Sequence, residues 1–143
     1  MRNINAVSSM IEYGMCLIGT PYKWGGANPV SGMDCSGAIQ EILSSIGFDP
    51  RGDQTAAGLY ESFAPRSEHG KLAAGALVFY GSSLDKITHV AMMINDFQVM
   101  EAGGGGSKTI TRDDAARDSA FFRIRPFNLR TDIVAVLMPT YPV

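Results

Sequence analysis

The stretch SGMDCSGAIQEI, residues 31–42, sets a single cysteine between an aspartate and a serine, where an apolar pattern of helical period begins. A cysteine that only fills a core belongs inside such a run, as one more small apolar residue. Cys35 stands instead at the step from loop to helix. Asp34 is the natural N-cap of that helix, because its carboxylate can accept the unpaired NH groups of the first turn. Ala38, Ile39, Ile42, Leu43 and Ile46 share one face, and Gly47 stops the run.

That position gives Cys35 a chemistry. The thiolate is the reactive form of cysteine, and aligned peptide dipoles at a helix start favour it. The same free NH groups can stabilise the oxyanion of a tetrahedral intermediate. Gly37 is expected to keep the approach to the sulfur uncrowded. The competing reading is a buried helix-start cysteine with no chemistry, and this segment alone leaves both open.

Working outward, Ile4, Val7, Met10, Ile11, Met15 and Ile18 recur at helical spacing, with Asn3 as cap and Gly19, Thr20 and Pro21 as the stop. The spacing predicts a helix over roughly residues 4–18. Cys16 falls inside it and is read as an inert, buried apolar residue. Tyr22 to Asp34 carries Gly25, Gly26, Pro29 and Gly32 and is expected to be an irregular loop. A third, shorter helix is expected from Gln54 to about Phe63, ahead of Pro65.

Beyond Gly70 the pattern changes to short β-prone runs: ALVFY (76–80), THVAMMI (88–94), QVMEA (98–102), FFRIRPF (121–127) and DIVAVLM (132–138). Helices first and strands afterwards predict an α+β fold. With 143 residues, 45% of them hydrophobic, one domain spanning residues 1–143 is expected. A net charge of −2 with scattered Lys and Arg argues against nucleic acid or an anionic membrane as main partner. The N-terminus has no unbroken apolar stretch of the length a signal peptide or membrane span requires, so synthesis and folding in the cytoplasm are expected. Two cysteines and two histidines lack the spacing of a zinc site, and no metal or other cofactor is expected.

A thiol nucleophile needs a base. His69 lies in the polar stretch PRSEHGK and is read as a solvated loop residue. His89 opens the apolar run HVAMMI, where a histidine is either a satisfied core residue or a base held on a rigid element. With Cys35 as a partner, the base is preferred.

Together GTPYKWGGANPVSGMDCSGAIQEIL, ALVFYGSS and HVAMMI resemble the NlpC/p60 family of papain-like cysteine peptidases, whose members cleave bacterial cell-wall peptides. The resemblance runs from about the first helix to Glu101 and rests on the PYxWGG, DCSG and HV elements in this order. It implies a papain-like fold, with N-terminal helices packed on an antiparallel sheet of about five strands. It makes Cys35 the nucleophile and His89 the general base, and it places the Tyr22 hydroxyl near the oxyanion or the substrate. Ser36 and Asp53 match positions that in some relatives hold the free amine of a short wall peptide, although Asp53 also reads as a cap before Gln54. Two departures stand out. Gly75 is followed by Ala76 where the family commonly has aspartate, and Glu101 stands where its third polar residue is usually histidine.

Glu101 is nonetheless read as the third member, orienting the His89 ring, and register decides whether it can. A two-residue loop at Asn95 and Asp96 sets His89 and Glu101 on opposite faces of the hairpin. A three-residue loop, Asn95 to Phe97, makes them diagonal neighbours on one face. The alternative for Glu101 is a strand-end charge turned to water.

The expected function is a cysteine peptidase that hydrolyses an amide bond in peptidoglycan stem peptides through a thioester. It would act at the cell wall after release from the cytoplasm, as part of a phage particle, or in association with a wall-binding chain. The rivals are a thioester acyltransferase or amidase on the same fold, and a catalytically silent wall-binding module. A nucleotide-binding loop at AGGGGSKT (102–109) fails in detail, because Ala102 and Ser107 occupy the motif's glycine positions and TITRDDAARDS offers no apolar helix face.

Overall fold

The structure is a computed structural model that describes residues 5–142. Its first helix, α1 (Ala6–Cys16), is capped by Asn5, whose side chain accepts a hydrogen bond from the Ser8 amide at 2.9 Å. The expected cap at Asn3 lies outside the described residues. A two-residue ladder, β1 (Ala27–Asn28) with β2 (Gly32–Met33), closes the loop ahead of α2 (Cys35–Ser44). Asp34 caps α2 as expected, with Oδ1 accepting from the Gly37 amide at 2.8 Å. α3 (Ala56–Phe63) follows, capped by Thr55. This corrects the reading of Asp53 as the cap, since the hydroxyl of Thr55 takes that task two residues later.

The remaining strands are β3 (Ser67–His69), β4 (Leu77–Gly81), β5 (Ile87–Met93), β6 (Gln98–Gly103), β7 (Phe121–Pro126) and β8 (Ile133–Pro139). They form one antiparallel sheet in the order β3-β8-β4-β5-β6-β7. The fold is α+β as expected, with six strands in the sheet instead of five. The extra one, β3, carries His69 on the sheet edge, exposed, with Nε2 3.0 Å from the Ala64 carbonyl oxygen. A fourth helix, α4 (Arg112–Asp118), occupies the segment whose polarity had argued against an apolar helix face. A capping box starts it, Thr111 and Asp114 each bonding the other's backbone amide.

α2 and α3 lie against β5, the strand that carries His89. Alternate residues along β4 and β5 point to opposite faces of the sheet. Leu77, Phe79, Val90 and Met92 meet Ile39, Ile42 and Leu43 on the helix side. Val78, Tyr80, Ala91 and Met93 meet Ile133 and Phe127 on the other. Ile39 and Leu43 are fully buried, so cutting either to alanine costs about 2–5 kcal/mol. α2 is thereby fixed on the sheet, and its first residue is fixed with it. No helix among the described residues is long and apolar enough to cross a membrane.

Candidate functional site

Each side chain of the site is set by a local rule of the chain. Asp34 anchors the start of α2 from both sides: Oδ1 bonds the Gly37 amide, and Oδ2 accepts from the Gly25 amide at 3.1 Å. Gly37 has a different task from the one expected. A Cβ there would strike the Gly26 carbonyl, so the glycine lets the preceding loop lie on the helix, which holds Cys35 still. Asp34 supplies acceptors for the Gly37 and Ala38 amides. The amides of Cys35 and Ser36 are left at the open end of the first turn.

His89 is placed by β5. Tyr80 pairs with His89 and Gly81 with Ile87, so Thr88 is an extra residue in the ladder, a bulge beside the thiol. The Cys35 Sγ lies 3.9 Å from the Thr88 carbonyl oxygen. Across the sheet, Met92 pairs with Met100 and Met93 with Val99, which leaves Asn95 to Phe97 as the hairpin loop. The Asn95 side chain locks that loop by accepting from the Phe97 and Gln98 amides at 2.8 and 2.7 Å. This is the three-residue alternative, and it puts His89 and Glu101 on one face. Their contact is direct, with His89 Nε2 2.6 Å from Glu101 Oε2.

His89 and Glu101 are only 7% and 8% exposed, so their charges depend on each other and not on water. Burial alone lowers the His89 pKa, but hydrogen bonds to Cys35 and Glu101, with the negative charge of both, outweigh it and hold the ring at about 9. Burial pushes the Glu101 carboxyl up, yet the bond and charge of His89, with Arg125 and Arg123 beyond, bring it below its usual value. An ionised Glu101 accepts the proton on Nε2, so in the neutral ring Nδ1 is the nitrogen free to take a proton from Cys35. Tyr22 is 6% exposed, and its phenol is pushed well above its ordinary pKa by burial and then by Cys35 and Asp34. It stays a hydroxyl donor. Gly105 packs flat on the Tyr22 ring, where any Cβ would collide with it.

A cleft of about 360 Å³ contains Tyr22, Cys35, His89, Glu101 and Gly103 to Gly105 in its wall. A second recess of about 300 Å³ also borders Cys35 and is lined by Asp34, Ser36 and Asp53. Tyr22, Trp24, Cys35 and Thr88 border both, so one trough crosses the thiol. Ser36 is nearly buried and donates to Asp34 Oδ1 at 3.3 Å. Asp53 is exposed, and its carboxylate makes no hydrogen bond among the described residues. All six residues singled out in the sequence therefore border the same trough. Sequence reasoning assigned no role to Trp24, Thr88, Tyr80, Arg125 or Arg130, which also line it. Trp24 was visible in the YKWGG element, whereas the two arginines sat in a run read only as a strand and in the turn after it.

The chain is 33% identical over 91 residues to the bifunctional muramidase/DL-endopeptidase CwlT of Bacillus subtilis, covering 62% of this chain and 26% of that protein. It is 30% identical over 114 residues to the peptidoglycan endopeptidase RipA of Mycolicibacterium smegmatis, covering 71% of this chain and 22% of that one. The chain thus spans about a quarter of the length of these relatives. Among solved structures, RipD of Mycobacterium tuberculosis, described as a non-catalytic NlpC/p60 domain protein adapted to peptidoglycan binding, superposes with a TM-score of 0.71 at 19% identity. That match covers 97% of this chain and all of that one. The profile of the NlpC/P60 family matches residues 19–122, a span that holds the cysteine, the histidine and the glutamate alike, and the chain belongs to that family.

Proposed function

We propose that the protein is a cysteine peptidase that hydrolyses an amide bond in peptidoglycan stem peptides through a thioester, acting as one catalytic domain. The observation that carries this reading is the set of groups around one sulfur: Cys35 at a helix start, His89 beside it, and Glu101 2.6 Å behind the ring. The endopeptidase names of CwlT and RipA support a peptidase, and that of RipA supports peptidoglycan as the substrate. In the acylation step the Cys35 thiolate, whose proton His89 Nδ1 already holds, attacks the substrate carbonyl carbon. The Cys35 and Ser36 amides and the Tyr22 hydroxyl face the oxyanion. Collapse of the intermediate breaks the C–N bond, and the amine leaves with the proton from His89. Water, deprotonated by His89, then hydrolyses the thioester and returns the thiol. Ser36 and Asp53 line the recess that would take the free amine of the peptide.

RipD gives a second reading its footing, since the same fold in that protein binds without catalysis. The nucleophile, base and orienting carboxylate of this chain favour turnover. The test is incubation with purified cell-wall fragments from several wall types, with released peptides read by mass spectrometry. Release that disappears in Cys35→Ala is expected, and retention of wall fragments without any cleavage would establish the binding module instead. We place the site of action at the wall, reached after release or with a virion or wall-binding chain, and co-sedimentation with walls and with particles separates these routes.

A further inference from the structure

We propose that Arg125 is a specificity-determining residue that binds a carboxylate on the leaving-group side of the cut bond. The proposal rests on the peptidase reading and names what the second half of the substrate must carry.

The trough is electrically polar. Asp34 and Asp53 line one of the two recesses that meet at Cys35, and Arg125 and Arg130 line the other. A peptide whose free amine sits by Ser36 and Asp53 has its N-terminal part there, and the N-terminal part of a peptide supplies the carbonyl of the scissile bond. The leaving portion must therefore extend across the sulfur into the basic recess.

The charges of that recess can be accounted for one by one. Arg130 is held by Asp132 through two bonds, at 2.9 and 2.6 Å. Glu101 is held by His89. Arg123 faces Glu101 across the β6–β7 pair, and its Nη1 donates to the Ser119 carbonyl at 2.9 Å. Arg125 follows on the same face, opposite Val99, and its side chain makes no hydrogen bond or ion pair among the described residues. It is half-buried in the cleft wall with its donors unanswered. A guanidinium so placed matches a planar acceptor with two oxygens, and a carboxylate has that shape and the opposite charge. Phe127 and Leu129 beside it offer apolar wall for the carbon stem that carries such a group.

The experiment uses a stem peptide from the wall digest, synthesised in two forms: with the carboxylates beyond the cut bond free, or with each converted to a primary amide. The acid form is expected to be cut with a kcat/KM on the order of tenfold higher. Arg125→Gln should bring that ratio near one, and Arg125→Lys should retain part of it. A native ratio near one would overturn the proposal. So would an Arg125→Gln protein slowed equally on both forms, the result expected if Arg125 served only to keep Glu101 charged. If neither form is cut, the peptidase reading fails, and calorimetric binding to Cys35→Ala decides the role of Arg125. Tighter binding of the acid form, lost in Cys35→Ala/Arg125→Gln, upholds it, and equal or absent binding of the two forms rejects it.

Discussion

Cys16 and Cys35 stand at opposite ends of their helices. Cys16 is the last residue of α1, exposed, with its thiol on the Glu12 carbonyl at 3.5 Å. Cys35 is the first residue of α2, half-buried, with an imidazole beside it. The expectation that Cys16 is inert because it is buried is corrected, since the more accessible thiol is Cys16. Peptide dipoles favour negative charge at a helix start and disfavour it at a helix end. The difference teaches that reactivity here must come from charge and partners, with access working against it.

The largest effect that tests this contrast is loss of the thiol itself. Cys35→Ala should lower turnover of wall peptides by roughly a thousandfold or more with the fold intact, while Cys16→Ala leaves turnover as it was. Peptide release and a circular dichroism melt read both results. Next comes the support behind the imidazole. Glu101→Gln should lower kcat by about ten- to a hundredfold with KM little changed, because it removes the charge that steadies the imidazolium, and Glu101→His should recover part of the loss. Undiminished turnover in Glu101→Ala would remove Glu101 from the site and leave Cys35 and His89 standing.

A smaller effect compares the thiols directly. In the native protein at neutral pH, iodoacetamide should label Cys35 faster than Cys16 by about tenfold despite its lower exposure, as read by mass spectrometry. Equal rates would mean that access governs after all. The smallest is in stability. His89 is raised in the folded state from 6.5 to about 9, so its contribution is fully present below pH 6.5 and is lost as pH rises through about 9. Glu101 is lowered from 4.5, so its contribution is present above that value and is lost as pH falls through its folded pKa. The pair stabilises most between about pH 4.5 and 6.5, and Tm should fall by roughly 10 °C from pH 6 to pH 10. That decline should flatten in Glu101→Gln.

Much of the fold was legible because its signals are local. Asp34 before an apolar helical pattern, Gly47 after it, and the five β-prone runs each act within a few residues. The hairpin register was legible as a choice between two loops, and Asn95 makes the choice by bonding the Phe97 and Gln98 amides. α4 was overlooked because a helix of seven polar residues leaves no apolar stripe, although Thr111 and Asp114 spelled its capping box. β3 had no signal of its own, since only pairing with β8 makes Ser67–His69 a strand. The site followed the same division. The proposed pair of Cys35 and His89 is signalled within their own segments, whereas Arg125 joins the trough only when β7 and β6 pair.

The bulge at Thr88 has a consequence for how such a site can change over time. Its side chain is exposed, borders both halves of the trough and has no counterpart in the ladder. Replacing it disturbs no cross-strand pair and shifts no neighbour to the wrong face. Selection, or a designer's library, can therefore vary position 88 to reshape the wall of the trough while the scaffold that aligns His89 is inherited unaltered.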